Sequence, residues 1–147
     1  MKIDFNEIGE PLFRRPELIL HPKIPKNLFG VNPRTHYGQL WWDLARKLAY
    51  MRNNGCCWAC GTAGPLEAHE AYRYNYEEHT ATFVEVVALC NMCHMAIHLG
   101  RAHATGGQSL VNEIHKHVMN NFGPEVYKRW LDKDRSPSAQ LHWRLVL

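Results

Sequence analysis

Cys57-Trp58-Ala59-Cys60-Gly61 and Cys90-Asn91-Met92-Cys93-His94 are the stretches that decide the fold. Each CxxC pair sets two thiols close enough to share one tetrahedral ion, and two such pairs together make the donor set of a four-cysteine structural zinc site. The 29 residues between Cys60 and Cys90 must return on themselves to bring the pairs together, and an antiparallel hairpin does this with least chain. Phe83 to Leu89 is rich in β-branched residues and Leu66 to His69 is a second short candidate strand, so two strands joined by a loop are expected there. Cys56 is the spare thiol: using it in place of Cys57 would change the spacing to three intervening residues. Zinc held by Cys57, Cys60, Cys90 and Cys93 would couple metal binding to folding.

Upstream, Gly38 to Arg52 has helical periodicity, with Leu40, Trp41, Leu44, Leu48 and Met51 as the apolar stripe and Asn53-Asn54-Gly55 as its stop. Before it, residues 1–35 contain five prolines (Pro11, Pro16, Pro22, Pro25 and Pro33), each biasing the preceding residue toward extended geometry. An extended, basic arm packed along the body is predicted. Downstream, the second cysteine pair opens a helix. Leu110, Val111, Ile114, Val118 and Phe122 recur at helical spacing after a break at Gly106-Gly107, and Gly123-Pro124 stops one helix and starts another that buries Val126, Trp130 and Leu131. Alternating Leu141, Trp143, Leu145 and Leu147 suggest a closing strand or extended cover. The expected fold class is α+β: an arm over 1–35, then one domain over 36–147, with a metal-stapled core at about 55–100 and helices with cover over 107–147.

A chain of 147 residues, 46% of them hydrophobic, suits one domain with its own core. Its longest apolar run, Val84 to Leu89, is interrupted by Glu85 and too short to span a bilayer, and the N-terminus lacks an apolar signal core. Paired CxxC motifs with an odd cysteine total favour metal over disulfides in a reducing compartment, so a cytoplasmic protein with no membrane association is expected. The net charge of +3 is modest, but residues 1–52 hold nine Lys/Arg against five Asp/Glu, while residues 53–147 hold eight against nine. Any electrostatic attraction for phosphate therefore leans on the first third.

His94 and His98, four apart after Cys93, share a face if helical and can grip one divalent ion. His69 ends the strand that follows the first pair, and a histidine beside a bound cation suits a general base. His79, His103, His115 and His117 have no partner pattern, so solvated surface is the expectation for each.

The run CxxCG (Cys57 to Gly61), LEAHE (Leu66 to Glu70) and ALCNMCHMAIH (Ala88 to His98) resembles the zinc-stapled form of the HNH nuclease superfamily over about residues 55–100. More loosely, LEAHE and the helices after it are similar to uncharacterised HNH-like proteins of bacteria and phages, which implies a phage or mobile-element origin. The resemblance implies a ββα-metal core and a metal-dependent endonuclease or nickase acting on DNA phosphodiester bonds. Position by position, it makes His69 the general base and His94 and His98 the ligands of a second divalent cation (Mg2+, Mn2+, Ni2+ or Zn2+). Arg34, Arg73, Arg101 and Lys26 are the candidate phosphate contacts.

Two positions depart from the family pattern. The residue before the base is Ala68, which cannot ligate, so Glu70 or Glu67 would have to reach in, or water would complete the metal shell. The family's middle Asn has no clear counterpart, with Asn75 in the loop and Glu85 near where it often falls. These departures define an alternative: a catalytically inactive zinc-stapled module that binds nucleic acid or a protein partner.

Overall fold

The computed structural model describes residues 9–22, 24, 26–28, 30–133 and 142–147. Among the described residues it is a mixed α+β fold with four α-helices and a three-stranded sheet. In chain order these are α1 (Pro33–Tyr37), α2 (Gln39–Arg52), β1 (Glu67–Asn75), β2 (Thr80–Leu89), α3 (Asn91–Ile97), α4 (Leu99–Asp132) and β3 (Arg144–Val146). No helix is long and apolar enough to cross a membrane among the described residues.

β1 and β2 form the expected hairpin, which extends further toward its turn than the β-branched run suggests. They are antiparallel from Glu67↔Leu89 to Asn75↔Thr80, with a bulge between Ala71 and Tyr72. Asn75 holds the turn, its Oδ1 accepting from the backbone N–H groups of Glu77 at 3.0 Å and Glu78 at 2.9 Å. β3 adds to β2 in parallel, Thr80 opposite Arg144, beside the buried Trp143. Of the predicted C-terminal alternation, Leu141 lies outside the described residues.

The proline-rich segment is not uniformly extended. Pro16–Leu20 and Lys26–Leu28 form 3₁₀ turns and Pro33–Tyr37 an α-helix. Pro16 and Pro33 sit at the first turns of their elements, where a missing N–H costs nothing and the fixed φ is already helical. Asn32 caps α1, with its side chain accepting from Thr35 N–H at 3.0 Å. The arm is structural: Leu18 and Ile19 are buried in the main core.

α2 buries a different face from the one its leucines mark. Trp42 and Ala49 are buried, whereas Leu40, Leu44 and Leu48 are 76%, 58% and 65% exposed. The helix has two apolar stripes, and the one carrying Trp42, Ala45 and Ala49 wins because small alanines admit close backbone approach while one tryptophan fills the remaining volume. Periodicity alone does not choose between such stripes.

α4 is interrupted where breaks are expected: its backbone leaves helical values at Gly107 (φ 66°) and at Gly123 (φ 84°), just before Pro124. Both glycines act as kinks, since positive φ strains any residue with a Cβ. Ile114, Val118 and Trp130 point into the core, whereas Leu131 is exposed.

Asn53, at the end of α2, is fully buried and joins three segments. Its Oδ1 accepts from Leu12 N–H (2.8 Å) and Phe13 N–H (3.1 Å), and its Nδ2 donates to Phe13 O (3.0 Å) and reaches Cys57 O at 3.3 Å. Asn53→Ala would leave several of these backbone groups without partners, and a loss of about 3 kcal/mol is expected by chemical denaturation. A loss under roughly 1 kcal/mol would show that water replaces the amide.

Candidate metal centre

The first CxxC is a tight turn closed by Gly61 N–H donating to Cys57 O at 2.9 Å, with Gly61 at φ 79°, a backbone state that favours glycine. Trp58 N–H donates to Ala88 O at 2.9 Å, which docks this turn against the end of β2. The second pair begins where β2 ends: Cys90 caps α3 and Cys93 lies in its first turn. The Sγ atoms of Cys57, Cys60, Cys90 and Cys93 therefore converge, all within 4.8 Å of one another. No disulfide forms, and Cys56 lies outside the group.

The chemistry of this donor set fits a metal ion. Hydrogen bonds from Cys57, Cys90 and Cys93 hold the Cys60 thiol below the ordinary range, while contacts with Cys57 and Cys60 push Cys90 and Cys93 up. Four thiols this close cannot all ionise against one another without a cation to compensate. Trp58 packs beneath the turn, its Nε1–H donating to Ala49 O at 2.9 Å.

A second cluster forms on the other side of the hairpin–helix junction. His69 on β1, His94 on α3 and His98 at the α3–α4 junction each offer a ring nitrogen within 4.8 Å of the others. His98 has left helical geometry (φ −109°, ψ 56°), yet its N–H still donates to His94 O at 3.3 Å and its carbonyl accepts from Ala102 N–H at 3.0 Å. The four-residue spacing therefore places His98 beside His94 without one unbroken helix.

His94 is oriented from behind. Its Nδ1 lies 2.8 Å from Glu67 Oε1, so Nδ1 carries the proton and Nε2 keeps a free lone pair, the usual arrangement of a carboxylate behind a metal-binding histidine. Burial alone would raise the Glu67 pKa, but hydrogen bonds from His94 and Asn91 hold it below the ordinary carboxylate range. Burial pushes His98 down to about 4 and His69 well below its ordinary value, so both are neutral donors at neutral pH. His69 Nε2 is buried without a hydrogen-bond partner among the described residues. An orphaned, neutral imidazole nitrogen in a histidine cluster fits a metal ligand.

The histidines open onto a cleft of about 310 Å3 that is also lined by Arg34, Glu70, Tyr72 and Arg101. Arg34 lies over the Trp42 ring at 4.0 Å and reaches Glu70 at 3.8 Å. Glu70 lines the cleft but stands outside the histidine group, as does Glu67, so of the alternatives opened by Ala68 neither carboxylate joins the three histidines. Arg73 is exposed on the strand toward the hairpin turn and does not line this cleft. The Lys26 side chain lies outside the described residues. The two candidates for the middle Asn are committed elsewhere, Asn75 to its turn and Glu85 to Arg15 at 2.6 Å and Arg52 at 3.5 Å.

Two histidines escaped the sequence reading. His21, from the arm, is buried with its ring centroid 5.1 Å from that of His69, and its Nε2 accepts from Tyr72 N–H at 3.3 Å. It walls the site without joining the ligand group, and no sequence pattern marks it because 48 residues separate it from His69. His117, expected on the surface, approaches Cys93 Sγ at 3.3 Å. His115 and His79 are also engaged, His115 with Tyr127 Oη at 2.8 Å and His79 against the Trp143 ring, whereas His103 is exposed as expected. No protein-family model, curated protein or solved structure matches the chain.

Proposed function

We propose that the chain is a metal-dependent phosphodiester hydrolase of the HNH kind that nicks or cleaves DNA, with a structural zinc on the four cysteines and a second divalent cation on the histidines. The observation that carries this reading is the convergence of His69, His94 and His98 on a cleft that Arg34 and Arg101 also line. A hairpin followed by a helix, with the ligands on both and a cysteine cluster at their junction, supports the ββα-metal assignment.

A divalent cation bound there would supply Lewis-acid stabilisation of phosphate charge. The chain's own groups do the rest. Glu67 holds the His94 tautomer, and burial keeps His69 and His98 neutral. Arg34 and Arg101 present charge to phosphate oxygens at the cleft rim.

Two divisions of labour are available for the proton. With the ion on His94 and His98, His69 deprotonates the attacking water, the role the family resemblance gives it. The orphaned Nε2 of His69 and its place in the ligand group favour a second division: all three histidines hold the ion, and Glu70, the carboxylate lining the cleft, takes the proton.

Supercoiled plasmid incubated with wild-type protein and Mg2+, Mn2+, Ni2+ or Zn2+ is expected to convert to nicked or linear forms, with EDTA abolishing the reaction. Failure with every ion at high protein concentration would leave the zinc-stapled module without catalysis.

A further inference from the structure

His117 lies on α4, 24 residues after Cys93, and no metal pattern in the sequence includes it. Its Nε2 stands 3.3 Å from Cys93 Sγ, a hydrogen-bond distance for sulfur. The other ring nitrogen decides the direction of that bond. Asn121 Nδ2 donates to His117 O at 2.8 Å and lies 3.2 Å from His117 Nδ1. A peptide carbonyl can only accept, so the amide NH2 group faces His117, and Nδ1 must be the acceptor. In the neutral ring, the proton then resides on Nε2 and points at Cys93 Sγ.

We propose that His117 is an N–H···S donor that positions and stabilises the Cys93 thiolate, so that α4 sets how tightly the four-cysteine cluster keeps its zinc. The inference rests on the zinc reading of the cysteines and is independent of the nuclease reading.

Four thiolates around one divalent cation leave a net charge of −2, which burial makes costly. Cys93 is fully buried, so the protein must supply whatever donors offset that charge. Cys60 has Thr62 Oγ1 at 3.2 Å, a hydroxyl that can donate once the sulfur is a thiolate. Cys93 has His117, delivered by a separate helix. Outer-shell donors of this kind hold the ligand atom in place and, when removed, weaken metal binding by about 10- to 100-fold. Without its metal, the cluster would also lose the charge that makes this hydrogen bond strong, so zinc occupancy and the seating of α4 support each other.

The test is zinc affinity of the full-length protein by chelator competition, with Co2+ substitution to read the thiolate-to-metal charge-transfer bands. His117→Ala is expected to weaken zinc binding by about 10-fold or more. His117→Gln retains an N–H donor of similar reach and is expected to stay within about threefold of wild type. Asn121→Leu, which frees the tautomer, should fall between them. At saturating metal the three variants should match wild type in circular dichroism, while His117→Ala alone shifts the charge-transfer bands.

Equal losses for Ala and Gln would reduce His117 to packing and overturn the proposal, as would no loss for Ala. A wild-type cobalt spectrum of three thiolates and one nitrogen would make His117 a ligand instead of a donor. Absence of any cobalt–thiolate band in the wild type would remove the zinc reading itself, a failure distinct from unequal behaviour of the variants.

Discussion

Removing the metal from Cys57, Cys60, Cys90 and Cys93 is expected to unfold the protein outright. The four thiols join the turn after α2 to the start of α3, and the chain between them is the hairpin that carries His69. Structural zinc in such sites contributes roughly 10 kcal/mol or more at neutral pH, comparable to the whole stability of a small domain. Incubation with a strong chelator should therefore abolish far-UV helical ellipticity or lower the melting temperature below ambient, and added zinc should restore it. Cys93→Ser, at a fully buried position, should reproduce the collapse without chelator.

Cys56→Ser is the control. Cys56 is also buried, but it stands outside the metal group, and its thiol bonds to the backbone carbonyls of Gly9 at 3.4 Å and Asn54 at 3.7 Å, contacts that a hydroxyl can also make. Its expected cost is about 1 kcal/mol. If Cys56→Ser and Cys93→Ser lose equal stability, or if chelation leaves the thermal transition unchanged, the cluster is a packed thiol core and holds no structural metal.

The cysteine cluster was legible because its information is local: two CxxC spacings and a hairpin-length gap leave few ways to arrange four thiols. The hairpin, the helix stop at Asn53-Asn54-Gly55 and the Gly107 and Gly123 kinks were legible for the same reason. The buried face of α2 was not, because Leu40, Leu44 and Leu48 form as good a stripe as Trp42, Ala45 and Ala49, and tertiary fit chooses between them. The second layer of each metal centre was also hidden. Glu67 behind His94, His21 against His69, and His117 on Cys93 are paired by the fold across 27, 48 and 24 residues, and nothing in their own neighbourhoods distinguishes them from solvated side chains. Asn53 shows the same limit: as an Asn before Asn-Gly it reads as a helix stop, yet its side chain holds the arm to the cysteine turn.

His69→Asn and Glu70→Gln are expected to separate the two roles at the second centre. His69 is buried, its pKa held far down by burial first and by His21, His94 and His98 around it, and its Nε2 lacks a partner. A base needs a proton-accepting atom facing water, whereas a ligand needs one facing the other ligands. The shared 4.8 Å limit among the three histidines satisfies the second condition. Glu70 meets the first: its carboxylate is 17% exposed at the cleft wall, with Arg34 at 3.8 Å. His69→Asn should therefore weaken binding of the second cation by about 100-fold, measured by calorimetry with the cysteine site already filled, and lose nicking in proportion. Glu70→Gln should bind that cation as wild type does yet nick about 10²- to 10⁴-fold more slowly. The opposite pattern, with His69→Asn keeping the ion but not the rate and Glu70→Gln nicking normally, would return the proton to His69. The ion would then rest on His94 and His98, with Glu67 behind His94 as its support.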